Sequence, residues 1–176
     1  MTGGVEGDRR SANIVTVPRM QPDDVIEFLR QPHVGVLATL RRDGRPYTVP
    51  VWFLHHDEAF WITGTYERVW CRQLFADPRA SLCVEAMTPV AGHVGVDGAV
   101  VAHERPAFDI WPLSRRLVDK YVAPAGRDAF FANMQTEHRL LFELRPEVVR
   151  AIDMRVYRGK RGDREYQDRG RRTEPA

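Results

Sequence analysis

The chain has 176 residues, 43% of them apolar and 28% charged, with a formal net charge of +2 and a mean hydropathy of −0.41. This length and composition predict one globular domain that can bury a core of its own. No window approaches the roughly 20 consecutive apolar residues of a membrane-spanning helix. Residues 1–10 also lack the apolar segment of a secretory signal, so we expect a cytoplasmic protein.

Both ends of the chain differ in composition from the middle. Residues 1–19 are rich in Gly and Arg without any period, and residues 159–176 alternate charges with Gly and lack apolar residues. We expect two flexible arms around a folded domain at 20–158. Residues 154–176 hold eight basic and four acidic side chains, which leaves the body slightly negative and argues against nucleic-acid binding. A less favoured interpretation of the function is an interaction protein whose basic tail binds an anionic partner.

The elements follow one another at short spacing. Pro22 opens a first helix, whose apolar stripe is Val25, Phe28 and Leu29, and Pro32 ends it. Periodicity and turn residues then predict strands over residues 34–40, 46–54, 59–63, 80–86, 94–101, 138–144 and 148–157, and helices over residues 68–75, 112–122 and 127–134.

Turn residues suggest how these strands connect. Asp43-Gly44 predicts a hairpin turn, and a second turn at residues 55–58 leads into the next strand, so we expect a three-stranded meander. Asp97-Gly98 predicts a bulge or bend. Six or seven short strands with helices at three or four places indicate a mainly β (α+β) fold, a small antiparallel barrel with helical insertions.

Most common enzyme signatures are missing. The sequence has no phosphate-binding P-loop, no dinucleotide fingerprint, no zinc-protease helix and no nucleophile elbow. The six histidines lack metal-ligand spacing, so we expect no metal site. Cys71 and Cys83 lie too far apart for a redox pair, and we expect both to be small buried residues.

The middle of the chain resembles a known family. VGVLATLRRDGRPYTVPVWFLHHDEAFWITG at residues 34–64, followed by RQLFADPRASLCVE at residues 72–85, is similar to the split β-barrel flavoproteins related to pyridoxamine 5′-phosphate oxidase. The nearest branch uses FMN or the deazaflavin coenzyme F-420. The resemblance covers about residues 31–153 and implies a split antiparallel β-barrel with three or four short helices. It also implies a homodimeric oxidoreductase that binds its cofactor between subunits and reduces an unsaturated or quinone-like small molecule.

The resemblance also points to a site. It implies that residues 49–52 face the cofactor ring and that residues 64–70 face its phosphate, where backbone N–H groups precede a helix. Because Pro50 lacks an N–H, its strand is expected at a sheet edge or bulge. The candidate cofactor-binding residues are Val49, Pro50, Val51, Trp52, Thr63, Gly64, Thr65, Tyr66, Arg68, Trp70 and Arg72.

The sequence departs from the family at the phosphate. Relatives have Ser and Lys where this chain has Arg68 and Trp70, and the basic strand residues of the oxidases proper correspond to Val49 and Leu54. We therefore do not expect pyridoxal phosphate synthesis. Arg68 and Arg72 either hold a phosphate or form a solvated helix face, and Trp70 either fills the phosphate cavity or stacks on a ring.

Three expectations follow from these departures. Displaced arginines favour coenzyme F-420 over FMN, because the deazaflavin has the longer anionic tail. No side chain is assigned a catalytic role, although Tyr66 and Glu67 could exchange a proton. The alternative to an enzyme is a non-catalytic split barrel that binds a cofactor, haem or a tetrapyrrole. A homodimer is also expected from the apolar positions at residues 34–40 and 94–101, which exceed what one thin barrel can hide.

Overall fold

The computed structural model of the protein describes residues 19–155. The two predicted flexible arms therefore lie outside the described residues, with the exception of Arg19, which forms an isolated antiparallel bridge with Ile152.

Seven strands and four α-helices make up the described part of the chain. The strands are β1 Gly35–Leu40, β2 Pro46–Val51, β3 Leu54–His56, β4 Ala59–Thr65, β5 Arg79–Ala86, β6 Gly92–His103 and β7 Arg139–Asp153. The helices are α1 Pro22–Arg30, α2 Val69–Ala76, α3 Trp111–Tyr121 and α4 Arg127–Met134, and a single 3-10 turn, Pro124–Gly126, precedes α4. All strand pairs are antiparallel in one sheet of order β2-β1-β5-β6-β7-β4-β3. The sheet is not closed but resembles a split barrel, so the predicted fold class is confirmed.

The predicted three-stranded meander is wrong. The strand expected over residues 46–54 is interrupted at Trp52 and Phe53, so that β2 pairs with β1 while β3 pairs with β4. The two halves lie at opposite edges of the sheet. The backbone N–H of Phe53 donates to the hydroxyl of Tyr121, at 3.2 Å, instead of to a neighbouring strand. A tertiary contact thus replaces the ladder and lets the chain cross between the edges.

The last strand also differs from its prediction. Residues 139–153 form one strand, β7, although Pro146 was expected to separate two. Pro146 lies opposite Gly98, beside a register shift between Asp97 and Gly98, where the ladder is already irregular. The predicted bulge is confirmed. A Cβ atom at Gly98 would collide with the carbonyl oxygen of Arg145, so a close backbone approach requires glycine here.

The core has two parts. The larger lies between the sheet and α1 and α2 and includes Phe28, Leu37 and Phe142, while the smaller lies under α3 and includes Ile110 and Leu141. Burying a side chain of this size contributes about 1.5–3 kcal/mol. No helix within residues 19–155 has the length and hydrophobicity required to cross a membrane.

Two expectations about burial need correction. Cys71 is buried as expected, but Cys83 is exposed, because it points to the outer face of β5. The apolar positions of β6 are largely inside, with Val94, Val96 and Val100 buried. The exposed large apolar residues include Val34 and Val36, next to and on β1, and Val148 and Val149 on β7.

Candidate functional site

A cavity of about 260 Å³ lies between one side of the sheet and the helices α3 and α4. Four residues of β2, β4 and the β2–β3 link form its sheet side: Pro50, Val51, Trp52 and Thr63. Four apolar residues form its helix side: Leu117, Val118, Phe130 and Met134. Arg68, Trp70 and Arg139 complete the wall. The cavity therefore joins an apolar surface to two guanidinium groups.

Six of the eleven predicted site residues line this cavity. They are Pro50, Val51, Trp52, Thr63, Arg68 and Trp70. Pro50 lies on β2, the edge strand that its missing N–H led us to expect. The cavity thus brings together residues from both predicted segments, the strand and the loop that precedes α2.

The other five predicted residues lie outside the cavity wall. Val49 packs on the larger core, and Thr65 pairs with Arg139 in the β4–β7 ladder. Gly64 packs so closely against Cys71 and Trp70 that a side chain there would force them to move.

Tyr66 and Arg72 have other surroundings. The hydroxyl of Tyr66 donates to Glu104 at 2.5 Å, a hydrogen bond that raises the pKa of Tyr66, and its ring stacks on Phe75. Arg72 lines a separate surface groove, together with Arg41 and Arg42. The groove therefore lies beside α2 and outside the cavity.

Arg139 is the charged residue of the cavity that the sequence did not reveal. It begins β7, and its register opposite Thr65 carries it to the cavity. The side chain is 12% exposed, its Nη2 lies 2.9 Å from Oε2 of Glu137, and its buried Nε has no hydrogen-bond partner within residues 19–155. Burial lowers the pKa of Arg139 and the charge of Arg68 lowers it further, although Glu137 opposes both. No local sequence pattern around residue 139 indicates that its side chain lines the cavity.

Arg68 faces the same cavity from the start of α2. It occupies the N-cap position with extended backbone, and its side chain makes no capping hydrogen bond. No acidic residue in the described part of the chain forms an ion pair with it. Glu137 is thus the one described acid paired with either cavity arginine, which leaves excess positive charge beside the N-terminus of a helix.

Trp70 closes one end of the cavity. Its indole is 3% exposed and packs at a tilt against Phe142, with 5.2 Å between ring centroids. Nε1 is buried and has no acceptor among the described residues. A buried donor without a partner costs about 1–3 kcal/mol, so an acceptor supplied by a ligand would stabilise this arrangement.

Lys120 and Tyr121 hold the β2–β3 link from behind the cavity. The amine of Lys120 donates to the carbonyl oxygens of Leu29 and Phe53, at 2.8 and 3.0 Å, and lies 3.8 Å from the centroid of the Phe53 ring. Burial lowers the pKa of Lys120 to about 7. The hydroxyl of Tyr121 donates to the carbonyl of His33 at 2.7 Å, and burial raises the pKa of Tyr121. These contacts hold Phe53, the residue that follows Trp52, in place.

No cluster of three or more metal-ligating side chains occurs within residues 19–155.

Comparisons with solved structures show that other proteins share this fold. A conserved hypothetical protein from Mycobacterium tuberculosis is 20% identical, with a TM-score of 0.64 over 80% of this chain and 91% of that one. An F420 reductase is 25% identical, with a TM-score of 0.55 over 70% of this chain and 93% of its own. The haem storage protein HutZ from Vibrio cholerae is 20% identical, with a TM-score of 0.56 over 74% and 93% of the two chains.

Sequence comparisons give the family itself. No curated protein matches the chain. The family model described as pyridoxamine 5′-phosphate oxidase matches residues 22–153, which is most of the chain and nearly all of its described part. The chain belongs to the pyridoxamine 5′-phosphate oxidase family.

Proposed function

We propose that the protein is an oxidoreductase that binds a flavin-type cofactor in the cavity, coenzyme F-420 in preference to FMN, and reduces an unsaturated or quinone-like small molecule. The observation that carries this proposal is the convergence of Arg68 and Arg139 on a cavity whose other lining residues, apart from Thr63, are apolar or aromatic.

The residues of the cavity fit the two parts of such a cofactor. Arg68 and Arg139 offer planar forks of N–H donors that match a phosphate, and the indole N–H of Trp70 is a further donor without an acceptor. Trp52 and Leu117 offer the apolar surface that a planar ring requires.

The chain's part in the reaction is to bind, orient and exclude water. A bound flavin or deazaflavin supplies the hydride chemistry. Pro50 and Val51 would bring strand backbone to the ring, and Leu117, Val118 and Met134 would keep water away from it. We assign no side chain of this chain a proton transfer.

Two features favour the deazaflavin. The F420 reductase is 25% identical to this chain. The cavity holds only about 260 Å³, so a cofactor tail must leave it and run along the surface. Arg72 follows Arg68 by four residues but lines the outer groove, so a long anionic tail would have a second cation to contact outside the cavity.

The test is a set of equilibrium titrations with FMN and with coenzyme F-420. Wild type should bind one or both below about 100 μM, and Arg68→Ala should weaken that binding by about 1.5–3 kcal/mol, because a charged hydrogen-bond partner is lost. Arg116→Ala is the matched control, since Arg116 is exposed and lies outside the cavity. Its affinity should equal that of wild type.

Other outcomes would replace this proposal. If neither cofactor binds, or if Arg68→Ala binds as wild type does, the phosphate role of Arg68 is wrong. If a cofactor binds but its reduced form is not oxidised by added quinones, the non-catalytic binding protein is the better description.

We also propose that the protein is a homodimer. Val36 pairs with Pro50 on one side and with Cys83 on the other, so the outer face of β2, β1 and β5 is continuous, and Val34 and Val36 are exposed on it. A second copy covering this face would bury more than about 1,000 Å². Light scattering at micromolar concentration should give about twice the chain mass of 20.2 kDa. A measured mass equal to that of one chain would contradict the proposed homodimer.

A further inference from the structure

One face of the Trp52 indole is already covered. Tyr121 stacks on it with 4.9 Å between ring centroids and 1° between ring planes. The Tyr121 ring is held in place by its hydroxyl, which donates a hydrogen bond to the carbonyl oxygen of His33 and accepts one from the backbone N–H of Phe53. Trp52 lines the cavity and Tyr121 does not. Tyr121 therefore supports one face of the indole from outside the cavity, which leaves the other face for contacts on the cavity side.

Phe130 is a second ring in contact with the Trp52 indole, and unlike Tyr121 it lines the cavity. Its ring centroid lies 5.7 Å from that of Trp52 at an angle of 35°, which is a tilted contact and not a parallel stack. Phe130 is 41% exposed, and Met134 is the one buried residue of α4. A side chain this exposed, on a helix this lightly packed, can rotate into solvent without opening the core.

The size of the cavity agrees with a filled subsite. Ligand pockets usually measure about 300–1,000 Å³, and this cavity of about 260 Å³ falls just below that range. Moving the Phe130 side chain outward would enlarge the cavity on the Trp52 side, where a planar ring could lie parallel to the Tyr121–Trp52 stack.

We propose that the free face of Trp52 is the ring-binding subsite and that Phe130 is a gate, which a planar aromatic ring displaces in order to stack there. This inference rests on the proposed function, because it concerns the same cavity, but it depends on the ring and not on the phosphate. While Phe130 occupies the subsite, only a fraction of the molecules is ready to bind, which lowers the apparent affinity.

The probe is lumichrome, the flavin ring system without a phosphate-bearing tail, and it is titrated beside FMN while the tryptophan fluorescence is recorded. Phe130→Ala should raise the affinity for both about three- to tenfold, because nothing has to be displaced. Trp52→Leu should lower it about three- to tenfold, the usual range for an aromatic contact. Phe75→Ala is the matched control, since Phe75 is 50% exposed and stacks on Tyr66 outside the cavity.

The sign of the Phe130 effect decides between a gate and a wall. If Phe130→Ala weakens binding or leaves it unchanged, Phe130 is not a gate and the inference is overturned. If Trp52→Leu does not fold, Trp52→Phe replaces it and should give a smaller loss, and an unchanged affinity there also overturns the subsite.

Failure of the proposed function would look different. In that case neither FMN nor coenzyme F-420 binds the wild type, while lumichrome still reports on the Trp52 face.

Discussion

Replacing Arg139 with methionine is expected to weaken binding of a phosphate-bearing cofactor by about 1.5–3 kcal/mol without lowering the free energy of unfolding. The binding loss follows from removing one of the two guanidinium groups at the cavity. A residue kept for stability would show the opposite pattern, so the two measurements together identify Arg139 as a ligand-binding residue.

The expected stability has a separate physical reason. Arg139 is a mostly buried cation whose Nε has no partner in the described chain and whose charge is opposed by Arg68. Its acidic partner Glu137 is 41% exposed, so removing the guanidinium leaves that carboxylate in water and not buried alone. Replacing a buried ion pair by an apolar side chain of similar volume is often neutral or stabilising. We therefore expect equal or higher stability in Arg139→Met.

The measurements are urea unfolding of the free protein and titrations with FMN and with riboflavin, which has the same ring but no phosphate. Arg139→Met should lose affinity for FMN while its affinity for riboflavin changes little. Arg79→Met is the control, because Arg79 is an exposed arginine that pairs with Asp77 away from the cavity. Unchanged FMN binding, or a stability loss above about 2 kcal/mol, would show that Arg139 is a structural residue.

The second large effect concerns Lys120 and pH. We expect wild type to gain stability relative to Lys120→Met as the pH rises from 7 to 9. The quantity compared is the free energy of unfolding of wild type minus that of the variant. Burial holds the pKa of Lys120 at about 7 in the folded protein, whereas an unfolded lysine has a pKa of about 10.4. Between those values the unfolded chain binds a proton that the folded chain does not. Stability therefore increases with pH, by at most about 1.4 kcal/mol per unit.

The subtraction isolates the amine from its surroundings. His33 and His55 lie near Lys120, and burial first and the charge of Lys120 second lower the pKa of both below the usual 6.5. Removing Lys120 therefore alters their titration too, but that titration falls below the window of pH 7 to pH 9 that the measurement uses. The carbonyl oxygens of Leu29 and Phe53 lose the lysine donor in the variant, which lowers its stability equally at every pH.

Two measurements check the prediction. Urea unfolding at pH 7, 8 and 9 gives the free-energy difference. The carbon NMR signal next to the amine gives the pKa directly, since Lys160 is the other lysine of the chain and serves as an internal reference. A difference that stays flat with pH would mean that the two carbonyls and the Phe53 ring stabilise the cation enough to cancel the effect of burial.

Much of the local structure could be predicted from the sequence. Pro22 opens α1, Asp97-Gly98 makes a bulge, and the helices at α2 and α4 begin and end within a residue or so of their predicted bounds. These features depend on residues a few positions apart, on fixed backbone angles and on periods of two or 3.6 residues, so they can be recognised in any window of the chain. The placement of Pro50 on an edge strand follows in the same way from a missing N–H.

The candidate site could be predicted only in part. Trp52, Arg68 and Trp70, which line the cavity, were predicted because they lie in the segments that resemble the family. Phe130 and Arg139 were missed, because they reach the cavity from α4 and β7, far away in sequence. Neither residue differs, in its own neighbourhood, from an ordinary surface aromatic or a strand-end arginine.

The sequence by itself determined the periods, the turns and the type of each element, because those depend on local backbone and side-chain geometry. Only the tertiary structure decided that β2 and β3 lie at opposite edges, since the break between them depends on a hydrogen bond from Phe53 to Tyr121, a residue of α3. Only the tertiary structure brought Arg139 beside Arg68, through the pairing of β7 with β4. Contacts between distant segments depend on side-chain packing and on strand register, and neither can be predicted from a local sequence pattern.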